Sequence, residues 1–192
     1  PRRLYMAADT RIFRSDDGGD HWIAVGSEAF PGPLDANGPY RNHGSSLAIA
    51  PLDPDFVAFG SPGRGLFFSR DAGMHWQAAI GVPPARASRR FDKAPAAIIL
   101  QFGQSKALEG QLWAAVPGHG VFVGDPRTMR FRSVGGPRQG RQFAQGWDGS
   151  LYIIDSQAQT LSIGRSGRGL APGPTMPEAP FAGIAADPFS NR

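Results

Sequence analysis

Apolar residues along this chain fall into short runs of about five, the length of an ordinary strand, separated by polar and turn-forming residues. The clearest are LYMAA (4–8), RIFRS (11–15), HWIAV (21–25), FVAFG (56–60), GLFFS (65–69), HWQAA (75–79), LWAAV (112–116), GVFVG (120–124), FRSV (131–134), LYIID (151–155) and TLSIG (160–164). A second kind of run closes in a polar turn, often Asp-Pro or Asp-Gly: SLAIAPLDPD (46–55), AAIILQFGQ (96–104), RQFAQGWDG (141–149) and FAGIAADPF (181–189). Their lengths and punctuation predict strands joined by tight antiparallel turns rather than helices.

The runs recur in a fixed order. A turn-closing run (A) is followed by three more (B, C and D), and the set repeats every 40–55 residues or so, the grammar of a propeller blade. The predicted fold is all-β: a β-propeller of four-stranded antiparallel blades, with about four repeats. They cover approximately 1–30, 45–81, 96–136 and 141–174, with a further A strand at 181–187. Residues 1–192 read as one segment of a larger propeller. The alternative is a closed four-bladed ring, in which 181–187 pairs with 4–8 and removes the exposed edges.

Composition sharpens this picture. The 26 Gly and 18 Pro disfavour long helices and suit a fold rich in turns. Cysteine is absent, which excludes disulfides and thiolate metal sites. No metal or cofactor motif is present, and no apolar run approaches the roughly 20 residues of a membrane helix. Formal net charge is +4, and Lys93 and Lys106 are the only lysines, so arginine carries nearly all the positive charge. Guanidinium forks suit anionic groups.

One motif is written twice: SDDGGDHW (15–22) and SRDAGMHW (69–76) share Ser-x-Asp-x-Gly-x-x-Trp between runs C and D. Asp17 and Asp71 can accept backbone N–H bonds within their own turn, while Gly19 and Gly73 permit positive φ. Trp22 and Trp76 can bury an indole, and Ser15 and Ser69 can complete the hydrogen bonding. At the third blade Gly124, Pro126, Thr128 and Phe131 occupy the motif positions, with Asp125 one step out of register. His21 and His75 recur a whole blade apart, too far to share a metal.

The octet is identified as an Asp box, and the chain resembles the Asp-box (bacterial neuraminidase repeat) β-propellers, which include sialidases, xyloglucan-degrading hydrolases and sortilin-like receptors. The stretch LAIAPLDPDFVAFGSPGRGLFFSRDAGMHW (47–76) is similar to blades of the xyloglucan-degrading enzymes. The resemblance implies that the boxes are structural and lie away from the functional face. It also implies a secreted, periplasmic or cell-surface setting.

In such a topology the D–A and B–C loops share the face opposite the boxes. They gather Arg41, Arg64, Arg86, Arg89, Arg90, Lys93, Arg138 and Arg141, joined by His43, His119 and Tyr40 and opposed by Asp9, Glu28, Asp35, Asp92 and Glu178, a basic surface expected to bind a glycan or a protein partner bearing anionic groups. The leading expectation is a non-catalytic binding or scaffolding propeller, because no catalytic constellation stands out. The alternative is a glycoside hydrolase of sialidase or xyloglucanase type, or a fragment of one. Glu28, Asp35 and Tyr40 are the weak catalytic candidates: with Arg41 they resemble a remnant of the sialidase set, although that family's Arg-Ile-Pro signature is missing. Nucleic acid is not an expected partner, since the Arg-rich loop has no aromatic stacking platform beside it.

Overall fold

The computed structural model describes residues 2–8, 11–26, 43–86, 98–104, 110–155, 159–165, 169–174 and 183–187. These residues form strands alone, arranged in four antiparallel sheets. The first holds β1 (Leu4–Ala8), β2 (Arg11–Ser15) and β3 (Ile23–Val25). The second runs β4 (Leu47–Ala50), β5 (Asp53–Ser61), β6 (Gly65–Ser69), β7 (Gln77–Ala78). The third is β8 (Ile99–Phe102), β9 (Leu112–Val116), β10 (Gly120–Asp125) and β11 (Arg130–Gly135). The fourth is β12 (Gly140–Gln145), β13 (Leu151–Asp155), β14 (Thr160–Gly164) and β15 (Ala171–Pro172).

Within each sheet the strands pair in sequence order, and β4, β8 and β12 adjoin one another as the inner strands of successive blades. Alternation along each strand then builds the core between sheets rather than within one. On β9, Leu112, Ala114 and Val116 face the second sheet with Phe56, Ala58 and Phe68, while Trp113 and Ala115 face the fourth with Phe143 and Ile153. A third cluster of Ile12, Val25 and Phe59 joins the first two sheets. This sideways stacking of small meanders defines a β-propeller.

Two details differ from the sequence reading. Asp53-Pro54-Asp55, which reads as a turn, is the start of β5; the chain reverses at 51–52 instead, with a register shift between Ile49 and Ala50. The extended segment is held there because Asp55 O accepts the Ala72 N–H at 2.9 Å and Pro54 O accepts the Tyr5 hydroxyl at 3.2 Å. Residues 183–187 lie in no strand and are attached to the fourth sheet by hydrogen bonds that include Gln142 Nε2 to Ile184 O (3.3 Å) and Trp147 N, in the turn after β12, to Asp187 O (3.2 Å). Among the described residues β1 pairs with β2 alone, so the closed four-bladed ring, which needs 181–187 on 4–8, is not formed.

Candidate functional site

The two octets have one geometry. Ser15 Oγ accepts the Gly19 N–H at 2.8 Å and donates to Asp17 Oδ1 at 2.8 Å; Ser69 repeats both bonds with Gly73 and Asp71 at the same distances. Asp17 Oδ1 also accepts the His21 N–H (3.0 Å), and Asp71 Oδ1 the His75 N–H (2.9 Å). The second carboxylate oxygen of each meets a ring, His21 Nδ1 or His75 Nδ1, at 2.6 Å. These donors, led by the His21 backbone amide, hold Asp17 well below the usual carboxylate range. At Asp71 desolvation is the largest influence and opposes ionisation, but the His75 and Ser69 hydrogen bonds outweigh it and bring the group down to about 2.

Each Trp donates its indole N–H to the octet glycine's carbonyl, Trp22 to Gly19 (2.9 Å) and Trp76 to Gly73 (2.8 Å). Their surroundings differ. Trp76 is half-buried, edge-on to Phe59 at 6.4 Å, and sits where a β-carbon on Gly26 would approach its Nε1 to 2.0 Å. Trp22 is 37% exposed, its ring and the Leu4 side chain both lying against Gly19. In the third blade Asp125 caps its own turn by accepting the Arg127 N–H at 2.7 Å, and the Phe131 ring fills the space over Gly124. Arg70 ties the second octet to this turn, donating to Arg127 O at 2.7 Å and also to Pro126 O, with its guanidinium 4.8 Å from the Phe56 ring centroid.

Because strands alternate in direction, the octets share one rim with the A–B turns, and the B–C and D–A loops make the other. On that second rim the described candidates are His43, Arg64, His119 and Arg138. Arg64 is exposed on the β5–β6 turn. His43 stands half-buried at the entrance to β4, where burial first and the Arg141 charge second lower it to about 4. His119 and Arg138 are brought together with Arg86 around the turn 117–119. Arg138 O accepts the Gly118 N–H at 2.7 Å, and Pro117 O accepts the Arg86 N–H at 2.9 Å. Burial first, then the charges of Arg86 and Arg138, lower His119 below its ordinary value, against an opposing influence of the Pro84 backbone. Asp9, Glu28, Asp35, Tyr40, Arg41, Arg89, Arg90, Asp92, Lys93 and Glu178 lie outside the described residues.

Sequence reasoning passed over a second basic surface. An open groove of about 990 Å³ on the octet side of the third sheet is lined by Val123, Asp125, Arg127, Arg130, Phe131 and Arg132. Arg-Phe-Arg on one strand was the available signal, since alternation puts both arginines on one face. Among the described residues there is no group of three or more His, Asp or Glu that could hold a metal, and no helix long and apolar enough to cross a membrane.

The stack of four antiparallel meanders defines the class: this is a β-propeller. No family model matches the chain. Among curated proteins it is 27% identical over 173 residues to a probable oligoxyloglucan-reducing end-specific xyloglucanase of Neosartorya fischeri, a match covering 85% of this chain and 19% of that protein. Among solved structures it is similar to the GH74 xyloglucanase of Xanthomonas campestris, with a TM-score of 0.72 and 21% identity over 93% of this chain and 30% of the other. The GH74 enzyme of Niastella koreensis follows with a TM-score of 0.68 and 16% identity, covering 89% of this chain and 28% of that one. The chain thus spans about a fifth of the curated relative's length and under a third of each of these two structures.

Proposed function

We propose that this chain is a set of blades from a xyloglucanase-like Asp-box propeller of glycoside-hydrolase type, and that it holds a glycan along the rim built from its B–C and D–A loops. The observation that carries this reading is the 27% identity to a xyloglucanase sustained over 173 residues. That similarity supports the glycoside-hydrolase alternative ahead of the non-catalytic scaffold that the sequence first suggests. The blade repeats are those at approximately 1–30, 45–81, 96–136 and 141–174, and the octets Ser15–Trp22 and Ser69–Trp76 are structural staples on the opposite rim.

Hydrolysis of a glycosidic bond generally takes two carboxylates set across the scissile linkage. No residue of this chain is assigned that role; its part in the reading is to bind and orient. Arg64 and His119 project from loops on the proposed binding rim, and polar side chains there can accept or donate to sugar hydroxyls. The test is calorimetric titration with xyloglucan oligosaccharides. Binding that weakens several-fold in Arg64→Ala and His119→Ala, and is unchanged in His75→Ala on the octet rim, is the expected result. Absence of binding, or equal losses on both rims, would overturn the reading.

A further inference from the structure

The arginines at 86 and 138 leave a question that a neutral glycan does not answer. They come from different loops, one between the second and third sheets and one between the third and fourth, yet both are fastened to the same turn between β9 and β10. Arg86 binds it through its own N–H on Pro117 O, and its stem lies across Gly118, where an added β-carbon would stand 2.8 Å from Arg86 Cβ. Gly118 is in the left-handed region at φ +84°, so a residue without a side chain serves both the turn and the close approach. Arg138 is anchored from the other side, its carbonyl accepting the Gly118 N–H. Backbone bonds therefore fix where both side chains start.

Both arginines are exposed, and among the described residues neither is ion-paired. Other arginines here do find carboxylates: Arg3 and Arg14 on Asp16, Arg127 on Asp125. The Asp155 carboxylate on this rim is buried and accepts the Gln139 N–H at 3.1 Å. His119, on the same β9–β10 turn, is near enough to both cations that their charges lower its basicity. In the neutral ring one nitrogen is a donor and the other an acceptor.

Two guanidinium forks beside a neutral imidazole acceptor match a group that carries an acid and a hydroxyl together. We infer that Arg86, His119 and Arg138 form a subsite for an acidic sugar residue, the arginines taking its carboxylate or sulfate and His119 accepting one of its hydroxyls. This rests on the proposed glycan-binding rim and deepens it by naming the charge of the ligand. Charge-assisted forks on an anion are strong and directional, so the acidic unit should bind at least about tenfold more tightly than its neutral counterpart.

The experiment titrates the intact 192-residue chain with three probes: neutral xyloglucan oligosaccharides, tri-galacturonic acid and a sulfated carrageenan tetrasaccharide. Wild type is compared with Arg86→Ala/Arg138→Ala and Arg86→Lys/Arg138→Lys, with circular dichroism confirming that each folds. The expected result is an acidic preference of roughly tenfold or more, weakened by salt, lost in the alanine pair and partly kept in the lysine pair. The two acidic probes distinguish carboxylate from sulfate. Tight neutral binding with no acidic preference would overturn the subsite and leave the rim reading standing. An acidic preference that survives the alanine pair would also overturn it, and no binding of any probe would overturn both.

Discussion

Asp71 shows how a residue that looks chemical can be spent on structure. Its two oxygens accept from Ser69 Oγ, the His75 amide and the His75 ring, and the indole of Trp76 closes the same turn onto Gly73 O. Its depressed acidity has a definite consequence for stability. The unfolded chain protonates Asp71 near its ordinary value while the folded chain holds it near 2, so its contribution is present above about pH 4 and lost as pH falls through 2. Asp71→Asn should cost about 1–2 kcal/mol at neutral pH, a modest figure because the carboxylate is partly exposed and screened. Urea unfolding followed against pH checks this; an unchanged acid limb in the variant would contradict it. His43 works in the same direction at milder acidity. Its folded value near 4 lies below the ordinary 6.5, so stability declines as pH falls through that window, and His43→Gln should flatten the decline.

At the scale of the element, the two octets are an internal control. Trp76 packs between sheets against Gly26, Val25 and Phe59, whereas Trp22 is 37% exposed and joins no core cluster among the described residues. Trp76→Ala should therefore destabilise the 192-residue chain by about 3 kcal/mol and Trp22→Ala by about 1 or less. Gly26→Ala should be costly without deleting anything, since the new methyl meets the Trp76 indole and φ is +60°. Thermal denaturation ranks the three; equal losses at Trp22 and Trp76 would refute the packing argument.

The strands themselves were legible because burial follows alternation. LWAAV, GVFVG and LYIID became β9, β10 and β13 almost residue for residue. Asp53–Asp55 was not, because Pro and Asp signal a turn locally while the bonds from Ala72 and Tyr5 that extend the segment come from elsewhere in the chain. The two-residue β15 has no apolar run of its own and exists through pairing with Ser162 and Ile163.

For the molecule as a whole, sheets that bury both faces should be the most protected. Amide exchange should be slowest in β9, whose every residue is buried, and fastest in β3 and β15 at outer edges. Strand alternation lets the sequence propose Arg64, His119 and Arg138 as residues of one rim, and the structure brings His119 and Arg138 to one turn. That Arg86 and Arg138 are pinned to one turn was not legible, because it depends on two backbone bonds between loops distant in sequence. The most direct test of the central claim is to map amide chemical-shift changes while titrating xyloglucan oligosaccharides. The account predicts shifts at Arg64, Arg86, Gly118, His119 and Arg138, with the octet amides of Gly19 and Gly73 unmoved. Shifts centred on the octets and the Arg130–Arg132 groove would place recognition on the wrong rim and contradict it.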